Sequence, residues 1–236
     1  MRYFFFDIDG TLLLSGGAGR IAMTQVMQEM FGLTELHRVK VHGRTDRGIV
    51  EELFNKHGLP CDEEVRQQFS NRYHELLPDS MHECEGVLMP GAVELLERLA
   101  ETPQVKLGIL TGNSESAAWS KLRHFEIDQF FEFGGFGGNH AARNDVARLT
   151  LENCRATYKD HQIEPDQAWV VGDTVNDITC ARAIGAKVIA VATGGSDYEE
   201  LREHKPDLLL RALSDPEFIL TATENPESFG KNNFFE

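Results

Sequence analysis

The chain predicts an α/β fold with a mainly parallel sheet, and three observations lead there. Short apolar runs of strand length recur along it, segments with helical spacing separate them, and acids or hydroxyls follow the runs. The runs cover residues 3–6, 106–110, 168–171, 187–191 and 208–210. All read as buried strands, and the first is too short and too apolar to be anything else. Between them, Pro90-Gly91 opens a helical pattern carrying Val93, Leu95, Leu96 and Leu99. Ser114 stands where it would cap a helix bearing Ala117, Ala118, Leu122 and Phe125. Further helices are expected over 144–159 and over 176–184, the latter stopped by Gly185. Strands alternating with helices imply parallel pairing, and ligands of such sheets sit beyond the carboxyl ends of the strands.

Residues 15–86 break this rhythm. Ser15-Gly16-Gly17-Ala18-Gly19 reads as a hinge and lacks the spacing of a P-loop. After it comes a stripe of Met23, Met27, Met30 and Phe31, closed by Gly32. The stripe is packing, since methionine fills irregular gaps between helices. Asp46 is expected to cap a second helix with Ile49, Val50, Leu53 and Phe54, ending at Gly58 and Pro60. Asp62 is expected to cap a third, with Val65, Phe69, Tyr73 and Leu76 on one face, ending at Pro78. The organisation expected is an all-helical domain, 15–86, inserted into a discontinuous α/β core made of 1–14 and 87–236. The last fifteen residues, with Pro226 and Gly230, read as a weakly packed polar tail.

At 236 residues and 41% hydrophobic composition the chain can bury a core without staples. A formal charge of −15 argues against nucleic acid or an anionic membrane surface as partner. A small anionic substrate is compatible only if a local cation overrides that field. Cys61, Cys84, Cys154 and Cys180 form no CxxC pair, so reduced thiols and a cytoplasmic location are expected. The apolar run after Arg2 is four residues long before Asp7 interrupts it, which is not a signal peptide. No stretch reaches membrane-helix length. The sequence leaves monomer and homodimer both open.

Three constellations carry chemistry. Phe4-Phe5-Phe6-Asp7-Ile8-Asp9-Gly10-Thr11 delivers two acids from a buried strand into a turn that Gly10 makes possible. Alternation along extended chain points Asp7 and Asp9 the same way. Two co-directed carboxylates are costly without a cation or proton between them. One can attack phosphorus while the other serves as acid and base; alternatively both are solvated and cap a turn. In Gly172-Asp173-Thr174-Val175-Asn176-Asp177, two acids four apart share a face if a helix starts there. With Asp7 they suit a hard divalent cation such as Mg²⁺, but acids also favour a helix N-terminus on their own. In Leu110-Thr111-Gly112-Asn113-Ser114, a hydroxyl followed by free amides makes an anion cradle, or merely a cap. A phosphate beside Asp7 also needs a cation. Arg143, at a loop-to-helix junction, is better placed than Lys121 in mid-helix.

In this order, Asp7-x-Asp9-Gly10-Thr11, Thr111-Gly112-Asn113, a basic residue and Gly172-Asp173-x-x-x-Asp177 resemble the haloacid dehalogenase (HAD) superfamily. The likeness is to the phosphoglycolate-phosphatase-like group with a helical cap, and it spans residues 2–210. The resemblance implies a Rossmann-like core and a Mg²⁺-dependent phosphatase acting on a small phosphorylated metabolite, phosphoglycolate by default. It implies Asp7 as nucleophile and metal ligand, and Asp9 as general acid/base with its carbonyl on the metal. It implies Thr111, Gly112 and Asn113, beside the Gly10 turn, as holders of the phosphoryl oxygens. Asp173 and Asp177 complete the metal site. The basic residue is usually Lys followed by Pro in relatives, a pair this region does not contain; Arg143 is the substitute expected here. Gly43-Arg44-Thr45-Asp46 resembles the substrate-facing turn of the cap, which makes Arg44 a candidate substrate contact; its alternative is an exposed Arg. His37, His42, His57, His74 and His82 show no ligand spacing and read as surface or packing. A sugar phosphomutase of the same fold and a catalytically silent partner-binding relative are the competing readings.

Overall fold

Four consecutive aromatic side chains, Tyr3 to Phe6, are all buried, and a strand with large apolar groups on both faces has to be covered on both. In the computed structural model, which describes residues 1–224 and Pro226, that strand lies in mid-sheet. In chain order the elements are β1 (Arg2–Phe6), β2 (Leu13–Leu14), α1 (Ala18–Phe31), α2 (Asp46–Lys56) and α3 (Glu63–Glu83). Then come β3 (Val87–Leu88), α4 (Ala92–Ala100), β4 (Val105–Thr111), α5 (Glu115–His124) and β5 (Phe133–Phe136). The chain continues with α6 (Arg143–Tyr158), β6 (Ala168–Gly172), α7 (Val175–Ile184) and β7 (Lys187–Val191). It closes with α8 (Tyr198–Glu203), β8 (Leu208–Leu210) and α9 (Pro216–Glu224).

The sheet has the order β5-β4-β1-β6-β7-β8 and every pairing in it is parallel. Phe6 sits opposite Ile109 on one side and Val171 on the other. Strand order reverses at β1, because the chain builds outward to β5 and then returns to place β6 on β1's free edge. That reversal opens a crevice at the carboxyl ends of β1, β4 and β6. Alternation along β1 sorts its aromatics: Phe4 and Phe6 join Leu95, Leu96, Leu122 and Ile219 on one face. Tyr3 and Phe5 join Val146, Ile178 and Leu201 on the other. Helices cover both faces, as a parallel sheet requires.

The segment between β2 and β3 is helical throughout its regular structure and has an apolar cluster of its own. Met23, Met27, Ile49, Phe54, Phe69 and Leu77 are its centre, with Ala117 of α5 joining from the core. The expected boundaries, 14/15 and 86/87, fall beside the two strands, β2 and β3, which pair antiparallel and bring the segment's ends together.

Several expectations need correction. Pro78 does not end α3, which runs to Glu83. Losing one backbone donor is outweighed because Leu76, Leu77, Ser80 and Met81 around it are buried. Thr45, not Asp46, caps α2; its hydroxyl accepts from Gly48 N at 3.1 Å. Strand β5, Phe-Gly-Gly-Phe, escapes propensity because glycine weakens strands. It tolerates Gly135 because a Cβ there would run into Thr150 of α6. The short pair β2/β3 and helices α8 and α9 were likewise not expected. Of the polar tail, residues 222–224 belong to α9 and the rest, Pro226 apart, lies outside the described residues. Among the described residues no helix is long and apolar enough to cross a membrane.

Phe6 is fully buried and meets Phe131 edge-on. Phe6→Ala is expected to cost about 3–5 kcal/mol, the usual range for a buried Phe→Ala. A urea melt would register this as a lowered midpoint at unchanged slope.

Candidate active site

Strand β1 stops at Phe6, yet the Asp7 amide still donates to Val171 O on β6 at 2.9 Å. From there the backbone turns. Gly10 takes φ +88°, a conformation open to glycine, and a Cβ on it would collide with the Asp173 carboxylate. Strict alternation therefore lapses after Asp7, and the two acids of the motif take different cations. The Asp7 carboxylate stands 2.9 Å from Arg143 Nη2. The Asp9 carboxylate accepts from Lys121 Nζ with both oxygens, at 2.8 and 2.6 Å.

β6 ends one residue before Asp173, whose Oδ1 accepts from Thr11 Oγ1 at 3.0 Å and Oδ2 from Gly195 N at 2.5 Å. Asp177 is the third residue of α7 and uses its oxygens separately. Oδ2 accepts from Thr174 N and Oγ1 at 3.0 and 2.6 Å, closing a capping box. Oδ1 accepts from Arg143 Nη2 at 2.5 Å. One acid thus caps a helix and serves the site.

Thr111, the last residue of β4, accepts at its hydroxyl from Asn113 N and Nδ2, at 3.3 and 2.8 Å. Asn113 Nδ2 also donates to Asp9 Oδ2 at 2.8 Å. The helical segment rests on this loop. Asp46 N donates to Gly112 O at 2.7 Å, and the Asp46 carboxylate accepts from Ser114 N at 2.7 Å. Thr45 Oγ1 donates to Ala141 O at 3.0 Å, and Asn176 Nδ2 to Gly43 O at 2.8 Å. A Cβ on Gly112 would strike the Arg44 carbonyl, so glycine lets this seam close.

Of the residues singled out from sequence, Asp7, Asp9, Thr111, Asn113, Arg143, Asp173 and Asp177 come together, with Gly10 and Gly112 shaping the backbone around them. The Arg44 side chain does not join them. It pairs with Glu52 and donates to Gly48 O and Lys40 O, folded back on its own segment. Lys121 is not on a solvated face; its side chain is 6% exposed. Arg143 and Lys121 therefore do not compete for one position. His74, read as surface or packing, meets Ser114 Oγ at 2.7 Å. The sequence places Thr11 in the first motif without giving its partner, and it leaves the Gly194-Gly195 turn unmarked. The turn follows β7 as the motifs follow their strands, which is the signal available for it.

Carboxylate oxygens of Asp7, Asp173 and Asp177 lie within 4.8 Å of one another, all buried. Burial, then the Asp177 and Asp7 charges, push Asp173 up to about 8. Burial pushes Asp7 up to about 6, against the pull of Arg143. Burial also acts on Asp9, but Lys121 and Asn113 override it and hold that carboxyl below its ordinary value. Burial disfavours charge on Arg143, and Asp177 and Asp7 reverse this, raising its pKa. One guanidinium among three buried acids leaves a deficit of positive charge, and an all-oxygen donor set suits a hard divalent cation. The residues present fit such an ion.

A strand-end carboxylate beside a cation-ready acid cluster, with a hydroxyl at the end of the neighbouring strand, is the arrangement of an α/β enzyme that handles phosphoryl groups. Comparison with known proteins agrees: residues 4–191 match the haloacid dehalogenase-like hydrolase family, and the chain belongs to it. A phosphoglycolate phosphatase of Chromobacterium violaceum is 29% identical over 209 residues, 83% of this chain and 87% of that one. A glyceraldehyde 3-phosphate phosphatase of Pyrococcus abyssi is 25% identical over 208 residues, 80% of each chain. The structure of CbbY from Rhodobacter sphaeroides in complex with phosphate has the same fold, with TM-score 0.70 at 20% identity over 91% and 96% of the two chains. The family is one of hydrolases, and both named relatives are phosphatases.

Asp173 and Asp7 have folded-state pKa values above those of the unfolded chain, about 4 for aspartate. The native state then binds more protons than the unfolded state across this window. In EDTA, stability should fall as pH rises from about 4 through about 8. Asp9, shifted the other way, changes its contribution only below that window. Thermal melts at pH 5 and pH 8 are expected to show the lower Tm at pH 8. Mg²⁺ should raise Tm more at pH 8 than at pH 5, and Asp173→Asn should flatten both dependences.

Proposed function

We propose that the protein hydrolyses a small phosphorylated metabolite through a phosphoryl-enzyme intermediate on Asp7. The observation that carries this reading is the position of Asp7: it follows the central strand and faces both the cation-ready acids and Arg143. An Asp7 oxygen attacks phosphorus, the bond from phosphorus to the ester oxygen breaks, and the leaving oxygen takes a proton from Asp9. That proton arrives with the substrate, because Lys121 and Asn113 hold the resting Asp9 ionised. A phosphate ester, with a second pKa near about 6, carries one in its monoprotonated form. Water then attacks the phosphoryl group, gives its proton to Asp9, and frees Asp7 and inorganic phosphate.

Thr111 and the amides of Gly112 and Asn113 hold phosphoryl oxygens, and Arg143 limits repulsion between Asp7 and the incoming phosphoryl group. Asp7, Asp173, Asp177 and the Asp9 carbonyl are the proposed ligands of Mg²⁺, which when bound supplies charge neutralisation for the phosphoryl oxygens. The helical segment acts as a cap that keeps bulk water away and selects the leaving group. Phosphoglycolate is the favoured substrate because named relatives act on it. With Arg44 turned to Glu52, the cap offers no guanidinium from that position. Four free cysteines suit a reducing cytoplasm.

Phosphate release from a panel of phosphomonoesters, with Mg²⁺ and with EDTA, tests the reading. Metal-dependent release with a clear favourite is expected; a phosphorylated isomer in place of free phosphate would make the protein a mutase. Asp7→Asn is expected to abolish turnover with Tm unchanged or raised, since one buried like-charge repulsion disappears. Full activity in that variant would refute the covalent route.

A further inference from the structure

Lys121 takes no part in the steps above beyond keeping Asp9 ionised, yet it is the more completely paired of the two site cations. It is the seventh residue of α5, and the buried face it shares with Ala117, Ala118 and Leu122 carries it under the site. Its ammonium group has three hydrogens and makes three contacts: Asp9 Oδ1 at 2.8 Å, Asp9 Oδ2 at 2.6 Å and Asn113 Oδ1 at 2.8 Å. A buried ion pair is a poor source of stability, because desolvating both partners cancels most of the attraction. The arrangement does, however, fix geometry. With Oδ1 of Asn113 on an ammonium group, the amide can turn only one way, and Nδ2 must face Asp9 Oδ2 and Thr111 Oγ1. One side chain thereby orients the Asp9 carboxylate and ties it to the strand-end hydroxyl of the phosphoryl cradle.

We propose that Lys121 is a positioning residue for the hydrolysis, acting through Asp9 and Asn113 to aim the acid/base carboxylate at the ester oxygen. Arg143 and Lys121 divide the work: the first serves Asp7 and Asp177, the second serves the proton-transfer side. The proposal rests on the reading of Asp9 as the group that protonates the leaving oxygen, and it makes a distinction that a merely structural lysine would not. An alkyl ester needs that proton, whereas p-nitrophenolate leaves without it. kcat/KM, which covers the steps up to loss of the leaving group, should register the difference.

The experiment compares wild type and Lys121→Met on p-nitrophenyl phosphate and on the alkyl phosphate that wild type turns over fastest, with Tm measured alongside. For the alkyl ester kcat/KM should fall by about 100-fold, the lower end of what a positioned acid–base group contributes, and for the aryl ester by less than about tenfold. Equal losses on both esters, or no loss on the alkyl ester, would overturn the proposal. Should Lys121→Met fail to fold, Lys121→Gln, which keeps a donor for Asn113 but no charge, is put through the same comparison. A wild-type protein that hydrolyses neither ester would sink the hydrolase reading and this inference with it. An active wild type with equal losses sinks this inference alone.

Discussion

Repulsion among buried carboxylates is the constraint around which the rest of the site is arranged. Asp7, Asp173 and Asp177 converge in a volume that water does not screen, and burial itself pushes Asp7 and Asp173 toward protonation. The fold tolerates this by answering each acid differently. Asp177 has a guanidinium and the cap of α7, Asp7 has the same guanidinium, and Asp173 has, among the described residues, hydrogen bonds from the Thr11 hydroxyl and one backbone amide. The least compensated acid is thus the one whose ionisation gains most from an added cation. Metal affinity and conditional stability are two consequences of a single arrangement.

That convergence follows from sheet order. Because β4 and β6 flank β1, motifs far apart in sequence, at Asp7, Thr111 and Asp173, finish on adjacent strand ends. Helix starts then supply what strands cannot. The beginning of α5 offers amides, α7 offers Asp177, and α6 offers Arg143 from its first residue. The helical segment rests against the same loops through Asp46 and Thr45.

Separation of the two cations gives the site two electrostatic compartments. On one side Arg143, always charged, stands among acids that a metal would share. On the other, Lys121 and Asn113 hold the Asp9 carboxyl below its ordinary value. Two carboxylates two residues apart in sequence consequently have proton affinities shifted in opposite directions.

Much of this was legible in the sequence. The aromatic run of β1, the alternation of strands with helices, the helical character of the inserted segment and the acids after strand ends are all local patterns. Local patterns survive folding because burial and hydrogen bonding of the backbone enforce them. What failed was also local in cause: β5 hides behind its glycines, and Pro78 breaks a helix only when packing does not hold it together. Tertiary structure alone decided which groups meet. That Arg44 turns to Glu52, that Asp46 crosses to Ser114 and that Lys121 reaches Asp9 depend on how elements distant in sequence are laid side by side. No spacing along a chain encodes such a choice, since it is settled by distances of a few ångströms between side chains competing for the same partners.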